Sequence, residues 1–398
     1  MKTLKIDTRD ANSDELFRQL SLGGGLVCPN LKHLYWASPC GWVHAQQFSS
    51  PGLATVCFPY WRNALASSCL ELASTINLLP TTHLESFTLG QVFEEDFIIG
   101  CALSGLVQRL KTCFTDLSIS SPLTDPAWEN LASLPRLNFL SVSGTPSANV
   151  RRPSELSFPA VKGLEIWADP PCLCWLALFF LLESSPLEEV RVRCRRTHPD
   201  DVLSQVISAM LKVGLEGRVN SLSFRGFGLG SLAFVQQLLL FCSLKTLYWL
   251  TVCLLGRPCI SPLTDSGIGE LAEALNKLEF LSFQTRCKHS SHHITIKSMI
   301  SFSTHCPHLK TLILPCDLAN ILEDIKTVSE ESRPRLEKQS SSILKHLPCI
   351  TLPPEGTEAL NVAVSALRNL FPHWEQLKGR SLFCYSSYGH LLKIRFQQ

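Results

Sequence analysis

The chain repeats part of itself, and this repetition constrains the fold more than any other feature of its 398 residues. Ser121–Val142 reads SPLTDPAWENLASLPRLNFLSV, and Ser261–Phe283 reads SPLTDSGIGELAEALNKLEFLSF. Both copies begin Ser-Pro-Leu-Thr-Asp, continue through a Leu-Ala step and close with Leu-x-Phe-Leu-Ser and an apolar residue. Self-similarity of this kind indicates a chain built from stacked structural units.

Each copy has the sequence pattern of a turn, a helix and a strand. Thr264 and Asp265 offer N-cap oxygens to the free N–H groups of a helix's first turn. Apolar residues then recur at helical spacing from Ile268 to Leu275. The closing segment Leu278–Phe283 alternates like a half-buried strand after its first leucine. The unit therefore resembles a leucine-rich repeat.

The closing frame, apolar-x-x-apolar-x-apolar, recurs along the chain at intervals of 22 to 38 residues. Its first positions are Leu31, Leu53, Leu84, Phe114, Leu137, Val161, Leu187, Val219, Leu244, Leu278, Leu309 and Leu347. Helices are predicted between these frames at Leu65–Leu79, Glu94–Lys111, Leu173–Glu183, Asp201–Val213 and Leu232–Phe241. Strands that alternate with helices pair in parallel. The sequence thus predicts an α/β fold, an irregular leucine-rich-repeat solenoid shaped as a horseshoe or arc. About twelve parallel strands would line its concave face, and helices its convex face.

Repeats of this kind stack without a conventional boundary, so we predict a single domain over residues 1–398. The charged, Ser-rich stretch 325–342 is expected to be an exposed loop or insertion. Residues 358–398 are expected to close the domain with a helix, Glu358–Leu370, and a short unit. Met1, Leu4 and Ile6 also fit the frame, so a first strand is expected there without a separate cap before it.

The composition excludes several classes of protein. A net charge of +2 and a pI of about 7.9 give no global field that would recruit nucleic acid or an anionic membrane. The longest apolar run, Cys172–Leu182, is shorter than the roughly 20 residues needed to cross a bilayer, so a buried helix is favoured. The 17 cysteines are scattered, and Met1–Asp7 has no apolar signal-peptide core. We expect reduced cysteines in a soluble cytoplasmic or nuclear protein.

The sequence favours structural roles for every candidate catalytic or metal-binding residue. Gly-x-Ser-x-Gly, His-Glu-x-x-His and Gly-Lys-Ser/Thr phosphate loops do not occur in the sequence. The segment Cys287–His293 contains one cysteine and three histidines but no spaced Cys-x-x-Cys partner, so a polar loop is favoured over a zinc site. Helix caps or solvated faces account for the carboxylates Asp116, Asp125, Glu129 and Asp265. No catalytic residue, metal or cofactor is predicted, and an enzyme is the least favoured class.

Candidate binding residues follow from strand geometry. In the repeated frame, positions one, four and six point inward, and positions three, five and seven face the concave side. The larger side chains at these outward positions are His33, Tyr35, Phe139, Glu165, Trp167, Glu189, Arg191, Arg193, Arg225, Tyr248, Phe280 and Gln284. Aromatic residues mixed with arginine are typical of protein-binding interfaces. The alternative is an ordinary solvated sheet face with scattered aromatic residues.

A local basic cluster lies among these positions. Its members are Arg191, Arg193, Arg195 and Arg196, next to Glu188 and Glu189. The cluster would suit an acidic partner, and a mixed-charge surface explains it nearly as well. Nucleic acid is a weak third choice because the total charge is close to neutral.

Several segments resemble the repeat region of fungal F-box proteins of the mushroom type. Ser261–Leu281 looks like one of their repeats, and Cys28–Leu34 and Cys306–Leu312 are similar to the segments that lead into their strands. The ending Leu370–Leu377 resembles the usual close of that family. The likeness extends over nearly the whole chain. It departs in one place, since Met1–Leu31 contains no recognisable F-box.

The resemblance implies substrate recognition for an SCF-type ubiquitin ligase. In that family the repeats hold a target protein, and the F-box docks on the adaptor subunit of the ligase. The expected function is therefore a protein–protein interaction module, the substrate-recognition part of a ligase receptor that lacks or has lost its F-box. A ligase adaptor would be a partner only if an F-box lies upstream or is cryptic. The alternative is a free-standing interaction or inhibitor protein unconnected with ubiquitin. A monomer is expected in either case.

Overall fold

A computed structural model describes most of the chain, in two compact units, Met1–Arg191 (unit one) and Val192–Gln398 (unit two). The described residues are 2–6, 19, 26–37, 42–60, 66–91, 97–110, 113–119, 123–143, 145–146, 157–167, 175–198, 201–227, 236–251, 264–285, 294–314, 316–317, 321–327, 350–351, 357–370, 382–385 and 391–394. The prediction of one domain over 1–398 stays a prediction.

The main sheet has twelve strands, and their order in the sheet is their order in the sequence. Unit one contains β1 (Thr3–Ile6), β2 (His33–Trp36), β3 (Thr55–Tyr60), β4 (Ser86–Gln91), β5 (Asp116–Ile119), β6 (Phe139–Ser143), β7 (Gly163–Trp167) and the start of β8 (Glu189–His198). Unit two continues β8 and adds β9 (Ser221–Phe227), β10 (Thr246–Thr251), β11 (Phe280–Thr285) and β12 (Thr311–Ile313). Neighbouring strands pair in parallel from β1 to β7 and from β9 to β12. This α/β leucine-rich-repeat architecture confirms the predicted fold class.

Helices lie between most successive strands of the main sheet, and two more follow β12. They are α1 (Trp42–Ala45), α2 (Ala66–Leu78), α3 (Phe97–Arg109), α4 (Asp125–Ala132), α5 (Trp175–Leu181), α6 (Asp201–Lys212), α7 (Asp265–Ala274), α8 (Ile296–His305), α9 (Ile321–Lys326) and α10 (Glu358–Leu370). A 3₁₀ helix follows α1 at Gln46–Phe48. The predicted segments between strands are therefore confirmed as helices at α2, α3, α5 and α6. Of the predicted Leu232–Phe241, only the part from residue 236 is described, and residues 236–238 are helical.

One hydrogen-bond pattern recurs at the strand starts and sets their register. The carbonyl at the second position of a frame accepts from two successive N–H groups of the next strand. Lys2 O, for example, accepts from Lys32 N at 2.9 Å and from His33 N at 3.0 Å. The same pattern continues from the carbonyls of Lys32, Ala54, Glu85, Thr115, Asn138 and Lys162 in unit one, and of Asn220, Lys245 and Glu279 in unit two. We call these second-position residues, with Glu188 and Lys310 that end the two series, the carbonyl ladder.

The core of each unit consists of the inward positions of the frame, as the sequence predicts. Leu31, Leu34 and Trp36 are at most 1% exposed, and the same three positions are buried in every frame from Leu31 to Leu309. Aromatic side chains pack between strands, with ring centroids of Phe224 and Trp249 5.4 Å apart in unit two. Burial of this continuous apolar column is the main stabilising contribution to such repeats.

The end of the predicted strand series differs from the structure. The frame at Leu347 does not extend the main sheet, because Ile350–Thr351 pairs in parallel with Cys316–Asp317 in a separate two-stranded sheet. The twelfth strand is instead β1, at the Met1 frame. The closing helix is confirmed with the predicted bounds Glu358–Leu370. It is followed by an antiparallel pair, Leu382–Tyr385 with Leu391–Ile394, which the sequence did not suggest.

Candidate functional site

The twelve predicted binding residues lie on strands, with eleven side chains described. His33 and Arg225 are exposed, and Glu165 is buried. The half-buried ones are Tyr35, Phe139, Trp167, Glu189, Arg191, Arg193, Tyr248 and Phe280. Gln284 lies on β11, and its side chain is outside the described part. We call the sheet face that carries frame positions three, five and seven the outward face.

In unit one, three neighbouring strands bring several of these positions together. The register places Phe139 of β6 beside Gly163 of β7, and Ser141 beside Glu165. The start of β8 lies next to β7, because Glu188 N and Glu189 N both donate to Lys162 O. Two residues further along, Arg191 points across β7 toward β6. We call Phe139, Glu165, Glu189 and Arg191 the arginine cluster.

Arg191 is held by two carboxylates. Its Nε donates to Glu189 Oε1 at 2.7 Å and its Nη2 to Glu189 Oε2 at 2.9 Å, which makes a bidentate pair. Its Nη1 lies 3.9 Å from Glu165 Oε2. The hydrogen bond from Glu189 raises the pKa of Arg191 above its ordinary value, partial burial opposes this, and the charges of both glutamates add to it. The guanidinium therefore stays charged and fixed in orientation.

Phe139 supplies the aromatic part of the cluster. The guanidinium carbon of Arg191 lies 5.9 Å from the centroid of the Phe139 ring, within the range of a cation–π contact. The ring lies over Gly163, where an added Cβ would come within 2.7 Å of Phe139 Cδ2. Gly163 therefore leaves the space that the Phe139 ring occupies, and a larger residue there would displace the ring. Sequence reasoning missed Gly163, because only the strand register places it under Phe139.

Glu165 is the most buried member of the cluster, at 7% exposed. It accepts a hydrogen bond from Ser141 Oγ at 3.4 Å, in addition to its ion pair with Arg191. A buried carboxylate is costly unless it is paired and hydrogen-bonded, and here it is both. Two carboxylates around one guanidinium leave the arginine cluster with a net negative charge. Such a cluster is suited to contact a cationic or hydrogen-bond-donating group of another protein.

The size of the side chains on the outward face of unit one changes between β2 and β6. On β2, the Lys5 ammonium of the neighbouring strand lies 5.0 Å from the ring centroid of Tyr35. The strands β3 to β5 carry only small or short side chains at frame positions three and five, namely Thr55, Cys57, Ser86, Thr88, Asp116 and Ser118. The side chains at these positions therefore project less from the sheet than Tyr35 and Phe139, which lie on either side of them. Four strand spacings of about 4.8 Å separate these two aromatic residues, or about 19 Å.

In unit two, Tyr248 is the central outward residue. Its strand partners in the register are Ser223 of β9 and Ser282 of β11. Both are small, so the half-buried phenol projects further from the sheet than its neighbours. Phe280 lies opposite Thr246 and Thr311. The outward face of unit two thus offers aromatic side chains among hydroxyl groups.

Three of the carboxylates considered for acid–base catalysis lie at helix starts or accept hydrogen bonds from neighbouring residues. Asp125 and Asp265 lie in the first turns of α4 and α7, and Asp116 accepts from Thr115 Oγ1 at 2.6 Å. Among the described residues, no group of three or more His, Cys, Asp or Glu side chains is placed to hold a metal ion. The Cys287–His293 cluster and the side chains of Arg195 and Arg196 lie outside the described part. No described helix is both long enough and apolar enough to span a bilayer.

Comparisons with known proteins add little to this geometry. No protein-family model matches the chain, and no curated protein matches its sequence. A similar solved chain occurs in the crystal structure of the Rad7 and Elc1 complex in yeast, with 15% sequence identity and a TM-score of 0.39. The alignment covers 86% of this chain and 75% of that chain. A TM-score this low does not establish a common fold.

Proposed function

We propose that the chain binds another protein through the outward face of its sheet. The observation that carries this proposal is the arginine cluster of unit one. Arg191 is oriented by Glu189 and lies 5.9 Å from the centroid of the Phe139 ring without any partner present. Arginine and aromatic residues are the types that dominate interface energies, and side chains that are already ordered lose little entropy on binding. The small side chains of β3 to β5 leave room for a partner beside the cluster.

The finer proposal is a receptor for ubiquitin-ligase substrates. It rests on the resemblance of Ser261–Leu281 and the related segments to F-box proteins, in which the repeats hold the target. The alternative is a free-standing interaction or inhibitor protein. We propose no catalytic role. We further propose that residues 1–398 act as one monomeric repeat domain in the cytoplasm or the nucleus.

The test is an affinity purification of the 398-residue protein from its native cells, read by mass spectrometry. It compares the natural chain with two double variants of the outward face, Phe139→Ala with Arg191→Ala and Arg193→Ala with Tyr248→Ala. The control combines Gln108→Ala and Glu273→Ala, two exposed positions on α3 and α7. A partner that is lost from either outward double variant but kept by the control supports the proposal, provided that the melting temperatures are nearly equal.

Two outcomes separate the finer proposals. Co-purification of a ligase adaptor and a cullin with the natural chain supports a ligase receptor. A partner that depends on the outward face but is accompanied by neither subunit supports a free-standing binding protein. Retention of every partner by both outward double variants would show that the binding surface lies elsewhere.

A further inference from the structure

The residues of the carbonyl ladder also place a row of side chains along the edge of the sheet at which the strands begin. Its members immediately precede adjacent strands, which are about 4.8 Å apart, so the charges of neighbouring members interact. Two lysines of the ladder form an ion pair with a neighbouring glutamate of the ladder. Lys162 Nζ lies 3.5 Å from Glu188 Oε1 in unit one, and Lys310 pairs with Glu279 in unit two.

The first two members of the ladder are both lysines. Lys2 and Lys32 are neighbours, since Lys2 O accepts from Lys32 N at 2.9 Å, and both side chains are exposed. The next member along is the uncharged Ala54. The two lysines therefore occupy adjacent ladder positions, and within the described part of the chain neither forms an ion pair with a carboxylate. Like charges at this spacing repel each other.

The two lysines line a cavity. Its volume is about 530 Å³, and Lys2, Pro29, Asn30, Lys32 and Gly52 line it. This volume lies in the range of small-ligand sites. The lining contains two cations, an amide side chain and no carboxylate. Gly52 adds no side chain, and a Cβ built there meets nothing within 4 Å, so the space beside the lysines is open.

We propose that this cavity binds a phosphate group. Two ammonium groups match the charge of a phosphate monoester, and lysine is a common phosphate ligand that acts as a point charge. The Asn30 amide supplies an additional donor next to Lys32. An anion here would take the place that a glutamate fills beside Lys162 and Lys310. The site lies beside the first residues of β1 and β2, and it does not depend on the binding role proposed above for the outward face.

The probe is inorganic phosphate, titrated into the full chain by calorimetry at low ionic strength. Sodium chloride at equal ionic strength is the reference for general screening. A unit charge about 4 Å away in water contributes about a factor of five to affinity. Lys2→Gln with Lys32→Gln should therefore weaken phosphate binding on the order of 25-fold. The matched control, Lys162→Gln with Lys310→Gln, removes two ladder lysines that already have partners and should leave the affinity unchanged.

A second variant tests the cavity without removing a lysine. Gly52→Glu places a carboxylate in open space beside both ammonium groups and should abolish phosphate binding while the chain stays folded. A phosphoserine peptide and its unphosphorylated form distinguish the source of the group. Tighter binding of the phosphopeptide than of inorganic phosphate indicates a phosphate carried on a polypeptide, and the reverse indicates a free anion. An effect of phosphate equal to that of chloride, or an equal loss in the control variant, would overturn the proposal.

Discussion

Asp265, in the first turn of α7, caps the helix of the following repeat through Thr295. Its Oδ1 accepts from Thr295 N at 2.8 Å, and its Oδ2 accepts from Thr295 Oγ1 at 2.7 Å. Ser298 Oγ also donates to Oδ1, at 2.6 Å. Thr264 performs the capping of α7 itself, by accepting from Gly267 N at 3.3 Å. The Thr-Asp pair of the repeated motif therefore divides its work between two successive helices.

We expect Asp265→Ala to destabilise unit two by about 1–2 kcal/mol, because it removes the acceptor of three hydrogen bonds at the start of α8. The measurement is urea unfolding followed by circular dichroism. Glu273→Ala, at an exposed position of the same helix, is the control and should change the midpoint little. Equal midpoints for the two variants would mean that the Asp265 contacts contribute no net stability.

Gly226 should tolerate no side chain. Its φ is +89°, and an added Cβ would come within 2.1 Å of the backbone oxygen of Cys194 on the neighbouring strand. We expect Gly226→Ala to cost about 2 kcal/mol or more, from left-handed backbone strain and displacement of β9. Gly217→Ala, where a Cβ meets nothing within 4 Å, is the matched control and should lie within about 0.5 kcal/mol of the natural chain. Similar denaturation midpoints for both variants would contradict this packing.

The Glu189–Arg191 pair should contribute to orientation more than to stability. The two side chains remain 32% and 38% exposed, so solvent screens their attraction. A double-mutant cycle with Glu189→Ala and Arg191→Ala should give a coupling energy of about 0.5 kcal/mol that decreases as salt is added. A coupling several times larger and insensitive to salt would mean that the cluster is shielded from water.

Cys306 should be the least reactive of the described cysteines. Burial raises the pKa of its thiol to about 12, and Sγ donates to Ala272 O and Leu275 O at 3.4 and 3.5 Å. In a brief iodoacetamide reaction at about pH 8, we expect alkylation of the exposed Cys242 and protection of Cys306. Peptide mass spectrometry measures both sites, and equal labelling of the folded protein would contradict this prediction.

The same shift has a consequence for stability. Because the folded-state pKa of Cys306 lies above its ordinary value of 9.0, the stabilisation from the neutral buried thiol is complete below pH 9. It is lost progressively as the pH rises from 9 toward 12. Comparison of Cys306→Ala with the natural chain isolates this effect, since the variant should lose less stability between about pH 8 and pH 10.5. Parallel pH profiles would show that another group governs the alkaline range.

Hydrophobic periodicity alone predicts most of the fold. The apolar frame marks residues that have to be buried together, so it locates all twelve strands of the main sheet and most of the helices between them. The Glu358–Leu370 helix has the predicted bounds. The frame fails at Leu347, where a short apolar pattern matches equally well a strand that pairs outside the main sheet.

Helix capping shows where local sequence stops being sufficient. Thr264 and Thr124 occupy the same place in the repeated motif, yet only Thr264 accepts a capping hydrogen bond through its side chain. Thr124 instead donates its backbone N–H to Ser104 Oγ of the preceding repeat, at 3.1 Å. Adjacent repeats offer hydrogen-bond partners to the same polar residues, and the motif alone does not determine which hydrogen bond forms.

The sequence by itself determined the repeat, the inward residues and the list of side chains on the outward face. Strand alternation fixes these through the local backbone, whatever lies nearby. Only the tertiary structure decided that Arg191 reaches Glu165 and Phe139, and that Lys2 and Lys32 share one cavity. These relationships join residues 26 to 52 positions apart in sequence and depend on strand register and on rotamers chosen among several partners. Register places side chains side by side, and pairing of charges then selects the contacts that form.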